Sequence, residues 1–230
     1  LQSQPTVNLM KSLDRLIGYV AKHPNHCRTI RPSNMLLQCH SDASYLSLPN
    51  SGSKAGGYIT LGDHTPNFLN SPLHCMSTII PVVVASAGEA ELAALFANMQ
   101  ILIILRSILT NLGYPQPCTP VWCDNEFVKG LCESSVRPKK SKSMDMRFNW
   151  CRQHVSNGIF TVPFIPSLAN YADFFTKSLS VIRHLEMAPL FVTSPTKPLL
   201  SAPFQSTPFF LPSIFYTSSS EARQDGSYSQ

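Results

Sequence analysis

Four acidic residues stand where apolar segments end or begin. Asp42 follows the run Leu36-Leu37-Gln38-Cys39-His40-Ser41, Asp124 follows Pro120-Val121-Trp122-Cys123, Glu91 lies early in a long apolar helix, and Asp173 lies in the last patterned segment. Only 13 of the 230 residues are acidic, so each acid inside an apolar stretch carries information. A carboxylate there has lost hydration and needs a cation, a hydrogen-bond donor or a proton to compensate. For Asp42 alone the simple alternative is a turn, its side chain accepting from the Ser44 or Tyr45 amide. If the strands before Asp42 and Asp124 are parallel neighbours, both acids leave the sheet at one end. Carboxylates converging without basic partners repel one another unless divalent cations lie between them. Mg²⁺ takes oxygen ligands and keeps positions for water and phosphate. Two such ions about 4 Å apart can activate a water and stabilise the leaving oxygen of a phosphodiester.

Glu89 competes with Glu91 for a place in that group. Side chains two apart on a helix differ by about 200° in direction, so both cannot face one centre. Glu89 already has a structural use, because Ser86-Ala87-Gly88-Glu89 is a capping-box pattern. Glu91 has none, which assigns it to the acid group. His40 shares a strand face with Asp42 and reads as a packed side chain.

The elements that must position these acids follow from periodicity and turn signals. Val7 to His23 has apolar residues at helical spacing and predicts an amphipathic helix packed on a neighbour, stopped by Pro24-Asn25. The Asp42 strand, a strand over residues 56–62 and a long third strand from Leu73 to Ala85 suggest an antiparallel meander. Pro81 places that third strand at a sheet edge or breaks it. A helix from Ser86 to about Leu112 ends at Gly113. A fourth strand ends at Asp124, short helices span about 125–134 and 144–156, a fifth strand spans 159–165, and a last helix over 169–179 carries Asp173. This order implies an α/β fold, a mixed sheet with helices on its faces.

Composition sets the bounds. A formal charge of +5 suits a polyanionic partner. Seven cysteines without CxxC pairs read as free thiols in a reducing compartment. The apolar stretch Leu92 to Leu105 is broken by Asn98 and Gln100 and reads as too short to span a membrane. From Met187 the chain turns rich in Pro, Ser and Phe, which predicts a disordered tail over 187–230.

The series Ser41-Asp42-Ala43-Ser44-Tyr45, Gly57-Tyr58, Ser86-Ala87-Gly88-Glu89-Ala90-Glu91-Leu92, Cys123-Asp124-Asn125, Met144-Asp145-Met146-Arg147 and Ala172-Asp173-Phe174-Phe175-Thr176-Lys177 resembles the ribonuclease H domain of copia-type retrotransposon Pol polyproteins. The resemblance runs from about Leu9 to Leu179 in the family's order. It implies a ribonuclease H-like fold with a five-stranded mixed sheet. It also implies hydrolysis of the RNA strand of RNA/DNA hybrids with two Mg²⁺ ions, Mn²⁺ being an alternative. Carried over by position, Asp42, Glu91, Asp124 and Asp173 match the family's metal-binding acids, with Asp42 as the bridging ligand.

The resemblance further implies a connection segment over 1–30, the nuclease domain over 31–186, and reverse transcriptase as the partner within one polyprotein. It points to a cytoplasmic particle or the nucleus, with no membrane partner. Beside a metal centre the basic cluster Arg137, Lys139, Lys140 and Lys142 would suit hybrid phosphates. Lys54, expected in a loop, is a further candidate for backbone contact. A catalytically silent nucleic-acid-binding or structural remnant of such a polyprotein is the alternative reading. A transposase or integrase on the same fold uses three acids, which the fourth acid here argues against.

Overall fold

The computed structural model describes residues 6–66, 70–133 and 142–192, with side chains in the last stretch from residue 146 onward. Helix α1, Val7–Lys22, starts where the Thr6 hydroxyl accepts from the Leu9 amide at 3.2 Å. None of its residues is buried. The expected burial of its apolar stripe is therefore not seen among the described residues: Leu13, Leu16, Ile17 and Val20 remain exposed.

Five strands form one mixed sheet: β1 Leu36–Leu48, β2 Gly52–Gly62, β3 Pro72–Ile79, β4 Thr119–Trp122 and β5 Phe160–Thr161, in the order β3-β2-β1-β4-β5. The first three are an antiparallel meander, and β4 runs parallel to both β1 and β5. This is the five-stranded mixed sheet that the resemblance implies.

Several boundaries differ from the sequence pattern. Strand β1 continues six residues past Asp42, because Asp42, Ala43 and Ser44 pair with Gly56, Ala55 and Lys54 of β2. Lys54 is thereby a half-buried strand residue rather than a loop residue. Strand β3 is an edge strand as expected but stops at Ile79, short of Pro81, which has no N–H to give a ladder. Strand β5 has only two residues, since Pro163 interrupts it; one parallel bridge, Cys123 to Phe164, resumes the pairing.

Six described helices complete the chain: α1, then α2 Ala87–Asn111, α3 Glu126–Cys132, α4 Lys142–Ser156, α5 Asp173–Thr176 and α6 Val181–Phe191. Ser86 caps α2 by accepting from the Glu89 amide at 3.2 Å, and the Glu89 carboxylate accepts from the Ala85 amide at 2.6 Å. That occupies Glu89 structurally. Leu92, Leu95, Met99 and Leu102 recur every three or four residues along α2 and are buried with Leu37, Ile59, Val121, Leu131 and Phe160. Each such side chain contributes about 1.5–3 kcal/mol on leaving water. By length and composition alone α2 is apolar enough to cross a membrane, so it is longer than the Leu92–Leu105 stretch suggested; here its apolar residues form the core.

Helix α6 crosses the expected start of the disordered tail. Met187 is buried and the Phe191 ring lies 4.7 Å from Phe174 and 5.1 Å from Tyr58. This aromatic packing holds the last turn despite Pro189, which costs that turn one hydrogen bond. Residues 193–230 lie outside the described residues. So do Arg137, Lys139 and Lys140 of the basic cluster and the side chain of Lys142.

Candidate metal centre

The site follows from β1 outrunning β4. Their parallel pairing ends at His40 with Trp122, so Asp42 lies where β1 has lost that neighbour, and Asp124 follows two residues after Trp122. Strand alternation then sorts the side chains. Ser41 faces α2, where the Asn98 amide donates to its hydroxyl at 3.1 Å, and Asp42 faces α5.

Gly56, opposite Asp42, makes room for α5. A Cβ there would lie 2.4 Å from Thr176 Cγ2 and 3.1 Å from the Ala172 carbonyl oxygen. With no side chain in the way, the Thr176 hydroxyl donates to Asp42 Oδ2. Asn170 fixes the loop before α5, donating to the Ser41 carbonyl at 2.9 Å and accepting from the Ala172 amide at 3.1 Å. Gly56→Ala is expected to push α5 off the sheet and cost about 1–3 kcal/mol, the usual scale for overpacking. Chemical denaturation would measure it, and an unchanged midpoint would contradict this packing.

Three carboxylates converge at this edge. Ligand oxygens of Asp42, Asp124 and Asp173 all lie within 4.8 Å of one another. Asp42 is fully buried, Asp124 accepts from the Ser167 hydroxyl at 2.6 Å, and Asp173 opens α5. Lys177 lies among them, its Nζ 2.6 Å from Asp173 Oδ1 and 3.3 Å from Asp42 Oδ1. Burial pushes the Asp42 carboxyl up to about 7, against the Thr176 hydrogen bond and the Lys177 charge, which pull it down. The Lys177 ammonium is raised: burial opposes its charge, but the Asp173 hydrogen bond and the charges of Asp42, Asp173 and Asp124 outweigh that.

Glu91 reaches the same edge from α2, on the other face of the sheet. It is 8% exposed, and its Oε2 has no hydrogen-bond partner. Burial, then the charges of Asp42 and Asp124, push its carboxyl up to about 9. Its nearest ligand group is not the three aspartates but Cys123 and Asp124, again within 4.8 Å. Asp124 is the residue common to both groups. The all-oxygen set and the unpartnered Glu91 oxygen fit a hard divalent cation.

Lys54 lies two residues from Gly56 along β2, on the Asp42 face of the sheet. His40 is buried between Trp122 and Tyr171, with ring centroids 5.0 and 4.7 Å away, and packs as expected. The sequence pattern leaves Thr176, Lys177, Ser167, Asn170 and Cys123 without roles. For Thr176 and Lys177 the signal was their place in the same run as Asp173, one helical turn on; Ser167 begins a single 3₁₀ turn, Ser167–Ala169, that Asn170 ends, too short to carry a periodicity.

The mixed sheet and the flanking helices are those that the family resemblance implies. No family model matches the chain. It is 30% identical over 179 residues to the retrovirus-related Pol polyprotein from transposon RE1 of Arabidopsis thaliana, covering 76% of this chain and 12% of that protein. A tobacco (Nicotiana tabacum) transposon Pol polyprotein is 25% identical over 162 residues, 70% of this chain and 12% of its own length. Similar solved structures include LC11-RNase H1 in complex with an RNA/DNA hybrid, at 18% identity and a TM-score of 0.47, covering 61% of this chain and 93% of that one. Another is the N-terminal RNase H domain of a Mycobacterium tuberculosis protein, at 16% identity and a TM-score of 0.44, covering 68% and 96%. The chain spans about an eighth of the length of the retrovirus-related Pol polyproteins it matches.

Proposed function

We propose that this chain is the ribonuclease H region of a copia-type retrotransposon Pol polyprotein and hydrolyses the RNA strand of RNA/DNA hybrids. The observation that carries this reading is the convergence of Asp42, Asp124 and Asp173 at the open end of the β1/β4 pair, with Glu91 buried beside them and its Oε2 without a hydrogen-bond partner. Asp42, Glu91, Asp124 and Asp173 would hold Mg²⁺ ions, with Mn²⁺ as a substitute. Bound there, the metal supplies a water of lowered pKa and positive charge for the leaving oxygen.

The chain's own residues set the conditions for that chemistry. Thr176 and Gly56 fix the Asp42 carboxylate, and Ser167 holds Asp124. The Lys177 ammonium has to leave Asp42 for a cation to approach, and its 40% exposed side chain leaves it room to turn to solvent or to a substrate phosphate. Lys54 on the same face, and the basic run from Arg137 to Lys142, would take further phosphates. The partner is then a hybrid presented by reverse transcriptase in the same polyprotein, in a cytoplasmic particle or the nucleus.

The test is cleavage of a labelled hybrid beside single-stranded RNA and double-stranded DNA of the same sequence. Mg²⁺-dependent loss of the hybrid's RNA strand alone is expected; cleavage of all three, or of none, contradicts the reading.

One observation favours the alternative of a silent remnant: Lys177 already neutralises part of the acid cluster. Lys177→Met separates the two. If the ammonium competes with metal, the variant binds Mg²⁺ up to about fivefold more tightly by calorimetry, the scale of a partly exposed ion pair, and melts lower without metal. A wild-type protein and a variant that both ignore Mg²⁺ would favour the remnant.

A further inference from the structure

We propose that Glu91, Cys123 and Asp124 form a thiolate-containing site for a borderline-soft divalent cation of the zinc and cadmium class. The three ligand atoms, a sulfur and two carboxylate oxygens, all lie within 4.8 Å of one another. Tetrahedral coordination with metal–sulfur and metal–oxygen bonds of about 2.3 and 2.1 Å needs donors about 3.4–3.7 Å apart. Closing the difference takes a side-chain adjustment, not a backbone movement.

Two features support a site beyond the proximity of an acid pair and a thiol. Glu91 is more than nine-tenths buried, and its Oε2 lacks any hydrogen-bond partner, an unsatisfied buried oxygen that a cation would satisfy. Cys123 is held on both sides by the backbone: its amide donates to the Pro163 carbonyl at 3.2 Å, and its carbonyl accepts from the Ile165 amide at 3.1 Å. The sulfur therefore sits on a fixed strand extension facing α2. Partly exposed Asp124 leaves an approach from solvent, and three protein donors leave a fourth position for water.

The donor set separates this site from the three aspartates across the sheet edge. Oxygen donors alone suit Mg²⁺, whereas a thiolate selects softer metals. On binding, the sulfur–metal and oxygen–metal bonds form as the protons of the Cys123 thiol and the Glu91 carboxyl pass to solvent, with no change in oxidation state. Because Glu91 and Asp124 are also among the four acids proposed for the nuclease centre, a cation at the thiolate site draws on two of its ligands. The thiolate site itself does not depend on hybrid cleavage.

The test is titration of the full chain with Cd²⁺, following the ultraviolet sulfur-to-cadmium charge-transfer band. The background carries Cys27→Ser and Cys75→Ser, which removes the two exposed thiols. One band per chain at saturation is expected, absent in Cys123→Ala. Glu91→Gln keeps every thiol and should weaken Cd²⁺ binding by at least about tenfold, as loss of a ligand or its support does. A band that survives Cys123→Ala, or an affinity that Glu91→Gln leaves unchanged, overturns the proposal. Should Cys123→Ala fail to fold, the Glu91→Gln titration decides alone. Failure of hybrid cleavage in Mg²⁺ would bear on the nuclease reading and leave this result untouched.

Discussion

Asp42→Asn is expected to lower Mg²⁺-dependent hybrid cleavage by roughly 10²–10⁴-fold, the scale on which removing a preorganised electrostatic group acts. The same substitution should stabilise the metal-free protein at pH 8. Asparagine keeps an oxygen to accept from Thr176 and loses the charge that burial penalises. The folded-state carboxyl sits at about 7 against an ordinary 3.8, so at pH 8 the folded protein carries an ionised group in an unfavourable place. At about 1.4 kcal/mol per unit, and allowing for the lost Lys177 contact, a gain of about 1–3 kcal/mol is expected. Loss of activity with gain of stability is the signature of a residue kept for a cation. Loss of both would mark Asp42 as a structural ion-pair partner of Lys177.

Metal-free stability should fall as pH rises from about 5 to 9, and Glu91 should dominate the slope. Its carboxyl is raised from 4.5 to about 9 in the folded chain, first by burial and then by Asp42 and Asp124. Between those values the unfolded chain has lost the proton that the folded chain keeps, so each step up in pH favours unfolding. Asp42 adds to the slope between 3.8 and about 7. Denaturant midpoints should drop by an equivalent of at least about 1–2 kcal/mol between pH 6 and pH 9. Glu91→Gln should flatten the curve, and Mg²⁺ should restore wild-type stability most at high pH, where the acids are free to bind it. A flat wild-type curve, or Mg²⁺ stabilisation that weakens as pH rises, would contradict this reading of the site.

How far the sequence carries can be judged on these same residues. Asp42 and Asp124 were legible because each ends a run that periodicity marks as strand, and the parallel pairing of β1 and β4 brings them to one edge. The choice of Glu91 over Glu89 followed from capping chemistry, and the Glu89 bond to the Ala85 amide bears out Glu89's structural use. The extension of β1 past Asp42 was not legible, since it depends on cross-strand partners Gly56 and Ala55 far along the chain. Nor was the short length of α5: four residues carry no helical period, and Asp173 is placed by Asn170 and by the gap at Gly56 instead. Strand alternation beyond the end of β4 turns Cys123 toward α2, which carries Glu91, while Asp42 faces α5, and only the sheet makes that visible.

The most direct test of a metal-dependent nuclease centre is cleavage of a labelled RNA/DNA hybrid by the full chain, titrated with Mg²⁺, beside an Asp124→Asn variant shown to fold by its melting transition. Asp124 belongs to both ligand groups, so the wild type should cleave the RNA strand with a saturable dependence on Mg²⁺ and the variant should not. Equal cleavage by both proteins, or none by the wild type at any Mg²⁺ concentration, would contradict the assignment of these acids to a metal-dependent nuclease centre.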